Sequence, residues 1–166
     1  MTGLWLPVYG VNEQGSGDMY PKGGNMLQAI RHGIDDDESW RQILRGLNKD
    51  FYHQTVTTQQ VEHYVSQKAG FDYQKVFDQY LRTTQIPDLE FYFSDDHKRV
   101  TYRYTNCVAG FDLPLVLRKG GASLRLLPTD RWKTAELKGD EAALVTEDGI
   151  KNMYYIGVKP VSQGSK

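Results

Sequence analysis

The chain has a single cysteine, Cys107, so no intrachain disulfide framework staples it. Nor has it a charge excess: 20 basic and 21 acidic side chains leave a formal charge of -1 over 166 residues. That removes the basic field on which phosphate-backbone binding depends, so nucleic acid is not an expected partner. No apolar run approaches a membrane span, and no basic stretch followed by an apolar one opens the sequence. Compartment is not legible from such a chain. The four histidines, His32, His53, His63 and His97, include no pair four residues apart. Glu62-His63 has no second histidine further along its helix, so no zinc site can be built locally. There is no Gly-x-Ser-x-Gly elbow for serine catalysis. Gly15-Ser16-Gly17 lacks the third glycine of a dinucleotide fingerprint and follows no strand, which leaves a flexible loop. Cys107 has no histidine or basic residue beside it in sequence and reads as a small packed side chain at a strand edge.

What is present is organised around Tyr20-Pro21-Lys22-Gly23-Gly24-Asn25-Met26-Leu27. Proline suits the first helical position, where its missing N–H is no loss. Met26, Leu27, Ile30 and Ile34 recur at helical spacing, which predicts a helix from Pro21 to His32. Tyr20 then stands where the chain enters that helix, near the positive end of its dipole, as a hydrogen-bond donor to developing negative charge. By spacing alone, Tyr20 reads as a packing residue at the helix entry. Lys22, Gly23 and Gly24 read as setting backbone shape and allowing close helix packing.

Before this motif, Leu4, Trp5, Leu6 and Val8 form a short apolar patch among turn formers. After it, Trp40, Ile43, Leu44, Leu47 and Phe51 predict a second helix, with Asp35 and Glu38 in capping-box spacing. The acid run Asp35 to Glu38 lacks the spacing of a calcium loop and reads as helix-start electrostatics. Thr57 and Gln60 cap a third helix with Val61, Tyr64, Val65 and Ala69 inward and Gly70 as its stop. Asp72 caps a fourth, burying Val76, Phe77, Tyr80 and Leu81 and closing at Ile86-Pro87. His32 reads as a helix C-terminal charge, and the other histidines as solvated.

Beyond Pro87 the period changes to two. Leu89 to Phe93 and Val100 to Tyr104 predict a hairpin, and Leu113 to Leu117 with Leu124 and Leu126 a second, turning at Gly120-Gly121. Further strands are expected at Trp132 to Leu137, Ala142 to Val145 and Met153 to Val158, with a frayed tail after Pro160. The expected class is α+β: an antiparallel helical part of about four helices over residues 1–87, then an antiparallel β-sandwich over 88–166. Aromatic cross-strand pairs account for the many tyrosines.

The run from Gly15 to Leu27, with Tyr-x-Lys-Gly ahead of a Met/Leu helix, resembles the segment that follows the zinc site in aminopeptidase N-like zinc metallopeptidases (peptidase family M1), in bacterial members above all. The resemblance continues through the Trp40 helix and Phe77-Asp78-Gln79-Tyr80-Leu81 into the β-rich tail. It implies that Tyr20 is catalytic, the donor that stabilises the oxyanion formed when an N-terminal peptide bond is hydrolysed. The family's His-Glu-x-x-His motif and later glutamate ligand are absent. The resemblance therefore implies the C-terminal part of such an enzyme, with zinc in the intact protein and none in this chain. It makes the remaining parts of that protein the partner, peptide the substrate, and the isolated chain inactive. The alternative reading is a non-enzymatic module whose helices and strands present an interaction surface.

Overall fold

The structure, a computed structural model, describes residues 19–163. The Leu4-Trp5-Leu6-Val8 patch and the Gly15-Ser16-Gly17 loop lie outside the described residues.

The first helix, α1, runs Met19–Ile34, two residues beyond the predicted span at each end. Pro21 is thus the third residue of the first turn rather than the first. The opening N–H groups of a helix have no internal partner, so proline is tolerated there too. Met26, Ala29 and Ile30 are buried, Ile34 is half-buried, and Leu27 faces out.

Helix α2 is Asp37–Asp50, and its cap is Asp36, not Asp35. Asp35 sits in the left-handed region at φ 62° as the chain turns out of α1, which moves its carboxylate away from the helix start. Asp36 accepts hydrogen bonds from the Glu38 and Ser39 N–H groups at 2.9 and 3.2 Å and from the Ser39 hydroxyl at 2.7 Å. Helix α3, Thr58–Ala69, carries the expected capping box of Thr57 and Gln60 and ends at Gly70 with φ 67°. Helix α4 is Gln74–Arg82, and its N-cap position is Tyr73, with no side-chain cap, rather than Asp72 as expected; Asp72, one residue earlier, accepts the Gln74 N–H at 2.9 Å. Helices α1 and α2, α2 and α3, α3 and α4, and α1 and α4 touch in turn.

The strands are β1 (Asp88–Phe93), β2 (Arg99–Thr105), β3 (Leu115–Lys119), β4 (Ala122–Leu126), β5 (Lys133–Glu136) and β6 (Gly157–Pro160). Strands β1 and β2 form the first predicted hairpin, pairing Leu89 with Tyr104 and Phe91 with Tyr102. Strands β3 and β4 form the second, a separate two-stranded sheet turning at Gly120 and Gly121, whose φ values of 56° and 89° suit a tight hairpin turn. The larger sheet has the order β5-β2-β1-β6 and does not close into a barrel.

The class is α+β as predicted, with two departures in the β-rich part. Strand β6 pairs with β1 in parallel, so the larger sheet is mixed rather than wholly antiparallel. The stretch expected as a strand at Ala142 to Val145 instead falls in a 3-10 helix, Gly139–Leu144, followed by a short helix α5, Glu147–Lys151. Acidic residues cluster at the start of each, and the Glu141 carboxylate accepts the Lys138 N–H at 2.8 Å. Alanine favours a helical turn over a strand.

One buried cluster runs through all of this. It joins Ile30, Ile43, Phe77 and Tyr80 of the helices to Leu89, Phe91, Val100, Tyr104, Leu117 and Leu126 of the strands. The Tyr80 hydroxyl donates to the Tyr155 carbonyl at 2.8 Å. Buried Gln79 spans the junction: its amide nitrogen donates to the Gln85 carbonyl at 2.9 Å, and its oxygen accepts the Val108 N–H at 2.7 Å.

Candidate functional site

Helix α1 carries Tyr20 in its first turn with the side chain 80% exposed. Tyr20 is the second residue of the helix, at the positive end of its dipole, where negative charge is best tolerated. Behind it, the Lys22 amine donates to the Thr83 carbonyl and ties the first turn of α1 to the end of α4. Gly23 and Gly24 do not serve close packing among the described residues: a Cβ built on either would meet no atom within 4 Å. Tyr20, Gly24 and exposed Leu27 thus line an open side of α1.

The same helix leads to a cleft of about 580 Å³ at its C-terminal end. Gln28 and His32 reach it from α1, with their side-chain nitrogens 2.9 Å apart. Its floor is Val116 and Met153. Two of the three rim carboxylates are matched by guanidinium groups, and the third, Asp36, caps α2. Arg31 makes a two-pronged bond to Asp37 at 2.8 and 2.9 Å, and Arg118 of β3 binds Asp35 at 2.5 Å. Arg31 therefore holds the Asp37 carboxyl below its usual range, and the Ser39 hydroxyl does the same for Asp36. His32 packs on the Tyr154 ring at 5.6 Å, and burial, followed by the charge of Arg31, lowers its pKa. That corrects the reading of His32 as a helix C-terminal cation: the imidazole is held toward its neutral form. Tyr154 is itself anchored, accepting the Val116 N–H at 2.7 Å, and burial pushes its phenol up to about 12.

The other histidines are exposed, as expected, though His97 stacks on Phe93 at 5.4 Å. Cys107 is half-buried just past β2, and burial raises its thiol to about 11, so it is a poor nucleophile at neutral pH. Among the described residues, no three of His, Cys, Asp and Glu gather as a metal would require. No described helix is long and apolar enough to cross a membrane.

Sequence reasoning singled out Tyr20 and missed the cleft. The signal was there in part: Tyr20, Gly24, Gln28 and His32 recur every four residues, the spacing of one helix ridge. Arg118 was beyond reach, because only the fold brings β3 to the end of α1.

No family model and no curated protein matches the chain. Among solved structures, the fold is similar to that of Legionella pneumophila aminopeptidase A in complex with aspartic acid, with a TM-score of 0.65 and 14% identity. The likeness covers 89% of this chain, which spans only 18% of that one. At this identity it is a likeness of fold: the architecture assembled here is one that an aminopeptidase contains.

Proposed function

We propose that this chain is the C-terminal part of a zinc aminopeptidase of the aminopeptidase N-like family, with residues 1–87 completing the catalytic domain and 88–166 forming the β-rich domain that follows. Its contribution to chemistry is the Tyr20 phenol. Water attack on the first peptide bond of a substrate turns the carbonyl oxygen into an oxyanion. A neutral phenol already aimed there, at a helix N-terminus, donates a hydrogen bond that strengthens as the charge develops. A donor of this kind contributes about 3 kcal/mol to the barrier.

The observation that carries this reading is the exposure of Tyr20 in the first turn of α1, on a side of the helix that the described residues leave open. A tyrosine that served only to pack the helix entry would be covered. The fold likeness to an aminopeptidase supports the same reading. The described residues do not fit a zinc ion, since no trio of donors gathers. The metal and the glutamate base are accordingly assigned to the rest of the protein, which is this chain's partner.

In a protein that joins this chain to a zinc-bearing part, Tyr20→Phe should lower kcat by about 10²–10³ with the zinc content unchanged. Unchanged turnover would reduce Tyr20 to a packing residue. The chain alone should bind no stoichiometric zinc and cleave no aminoacyl anilide; chelator-sensitive turnover would overturn the assignment. A reading frame with no His-Glu-x-x-His upstream would favour the non-enzymatic module instead.

A further inference from the structure

We propose that the cleft at the C-terminal end of α1 receives the trailing residues of an extended peptide that lies along the Tyr20–Gly24–Gln28–His32 ridge. The proposal rests on the reading of Tyr20 as the residue at the bond being cleaved, and it adds where the rest of the substrate goes.

Among the described residues the ridge is exposed at Tyr20, Gly24 and Gln28 and half-buried at His32. Gly24 leaves a notch with no atom of the described residues within 4 Å of a built Cβ, so a backbone can lie against the helix between Tyr20 and Gln28. At about 1.5 Å per residue, Gln28 stands about 12 Å and His32 about 18 Å along the axis from Tyr20. An extended chain covers that distance in about four to five residues. The cleft's volume of about 580 Å³ has room for more than one side chain.

Its chemistry points to a peptide backbone rather than to a charged group. Both guanidinium groups on the rim are occupied by carboxylates, Arg31 by Asp37 and Arg118 by Asp35. An incoming anion would have to displace a carboxylate already in place. The fifth charge, Asp36, is committed to the start of α2, accepting from the Glu38 and Ser39 N–H groups and the Ser39 hydroxyl. The other polar groups are neutral: the Gln28 amide, which pairs donor and acceptor as a peptide group does, and the His32 imidazole bonded to it, a link that an incoming peptide group can replace. Val116 and Met153 supply an apolar floor for a side chain.

The test uses the isotopically labelled full chain, titrated by NMR with an acetylated, amidated hexapeptide of alanine and glutamine that bears a nitroxide at its N-terminus. The matching dipeptide is the comparison. The hexapeptide should shift the Gln28 side-chain amide and His32 ring signals saturably, the dipeptide at least threefold less at equal concentration. The nitroxide should broaden Tyr20 and Gly24. Gln28→Ala should weaken the response at least threefold with the helical signal intact. Absence of shifts at the cleft, an undiminished response in Gln28→Ala, broadening away from the Tyr20 end, or binding confined to charged peptides would each overturn the proposal. No turnover enters this measurement, so its failure leaves the catalytic role of Tyr20 to the kcat experiment. Conversely, unchanged turnover in Tyr20→Phe beside intact cleft binding would remove that role alone.

Discussion

At the scale of single residues, two glycines of the same helix should respond in opposite ways to the same change. Gly24→Ala replaces a flexible residue inside α1 where no described residue stands within 4 Å, and should stabilise the chain by about 1 kcal/mol. Gly33→Ala puts a methyl 2.9 Å from the hydroxyl oxygen of fully buried Tyr73, which has little room to yield, and should destabilise it by about 1–3 kcal/mol. Urea denaturation of the two variants measures both, and a shared sign would contradict the geometry. Asp112 offers a different test. One of its carboxylate oxygens is buried without a partner, and burial, followed by the nearby Asp72, raises its pKa in the folded chain. The native state then holds this proton more tightly than the unfolded one, so the contribution to stability is present below the unfolded carboxylate pKa and is lost as pH rises through the folded one. Asp112→Asn should therefore raise Tm at pH 7 and leave it level with the parent near pH 3.5. Gly33 and Asp112 carry no sequence signal of their own, because the surroundings that decide each come from elsewhere in the chain, and Gly24, read as allowing close packing, meets none among the described residues.

At the scale of elements, periodicity located the four helices, while their inward faces were only partly legible. Trp40, Ile43, Val65, Val76, Phe77 and Tyr80 are buried as their spacing predicts. Leu27, Leu44 and Leu81, each expected inward, are 40–42% exposed. Spacing gives the apolar arc of a helix, but the neighbours decide how much of that arc is covered. The reverse error is Glu62, a charge on the inner side of α3 that is 2% exposed. It survives there because Arg82 of α4 reaches it at 2.7 Å and the Gln74 amide at 3.2 Å. Glu62→Ala strands that cation against the α3–α4 seam, with Asp78 at 3.2 Å its remaining carboxylate among the described residues. We expect a loss of about 2–3 kcal/mol, below the full penalty for a broken buried pair because Asp78 remains. Thr57→Ala, which removes the capping box of the same helix, should lose about 1 kcal/mol. Chemical denaturation should rank Glu62→Ala as the more damaging. The opposite order would mean that α3 depends on its start more than on its seam with α4.

At the scale of the whole molecule, the order of helices then strands and both hairpins were readable from period and turn residues. The parallel seating of β6 on β1 was not. Tyr154, Ile156 and Val158 alternate inward as a strand would, yet only Gly157–Pro160 pairs, at a register set by contacts more than 60 residues away in sequence. Such closure makes the folding of the two parts interdependent. Gln79 accepts the Val108 N–H and Tyr80 donates to the Tyr155 carbonyl across the junction, so separating the two parts leaves these groups unsatisfied, and the exposed Asp35–Arg118 pair crosses it as well. We therefore expect a single cooperative transition despite the change from helix to strand near residue 87. In a Trp5→Phe background, variants retaining only Trp40, buried among the helices, or only Trp132, beside β5, report each part separately by fluorescence during urea unfolding. Their midpoints should coincide with each other and with loss of the far-UV helical signal. Gln79→Ala, which orphans an N–H and a carbonyl, should shift both midpoints together by about 2–4 kcal/mol of lost stability. If Trp40 and Trp132 instead report separate transitions, or if Gln79→Ala moves only one, the helices and the sheet fold on their own and the shared core is a contact between two finished domains.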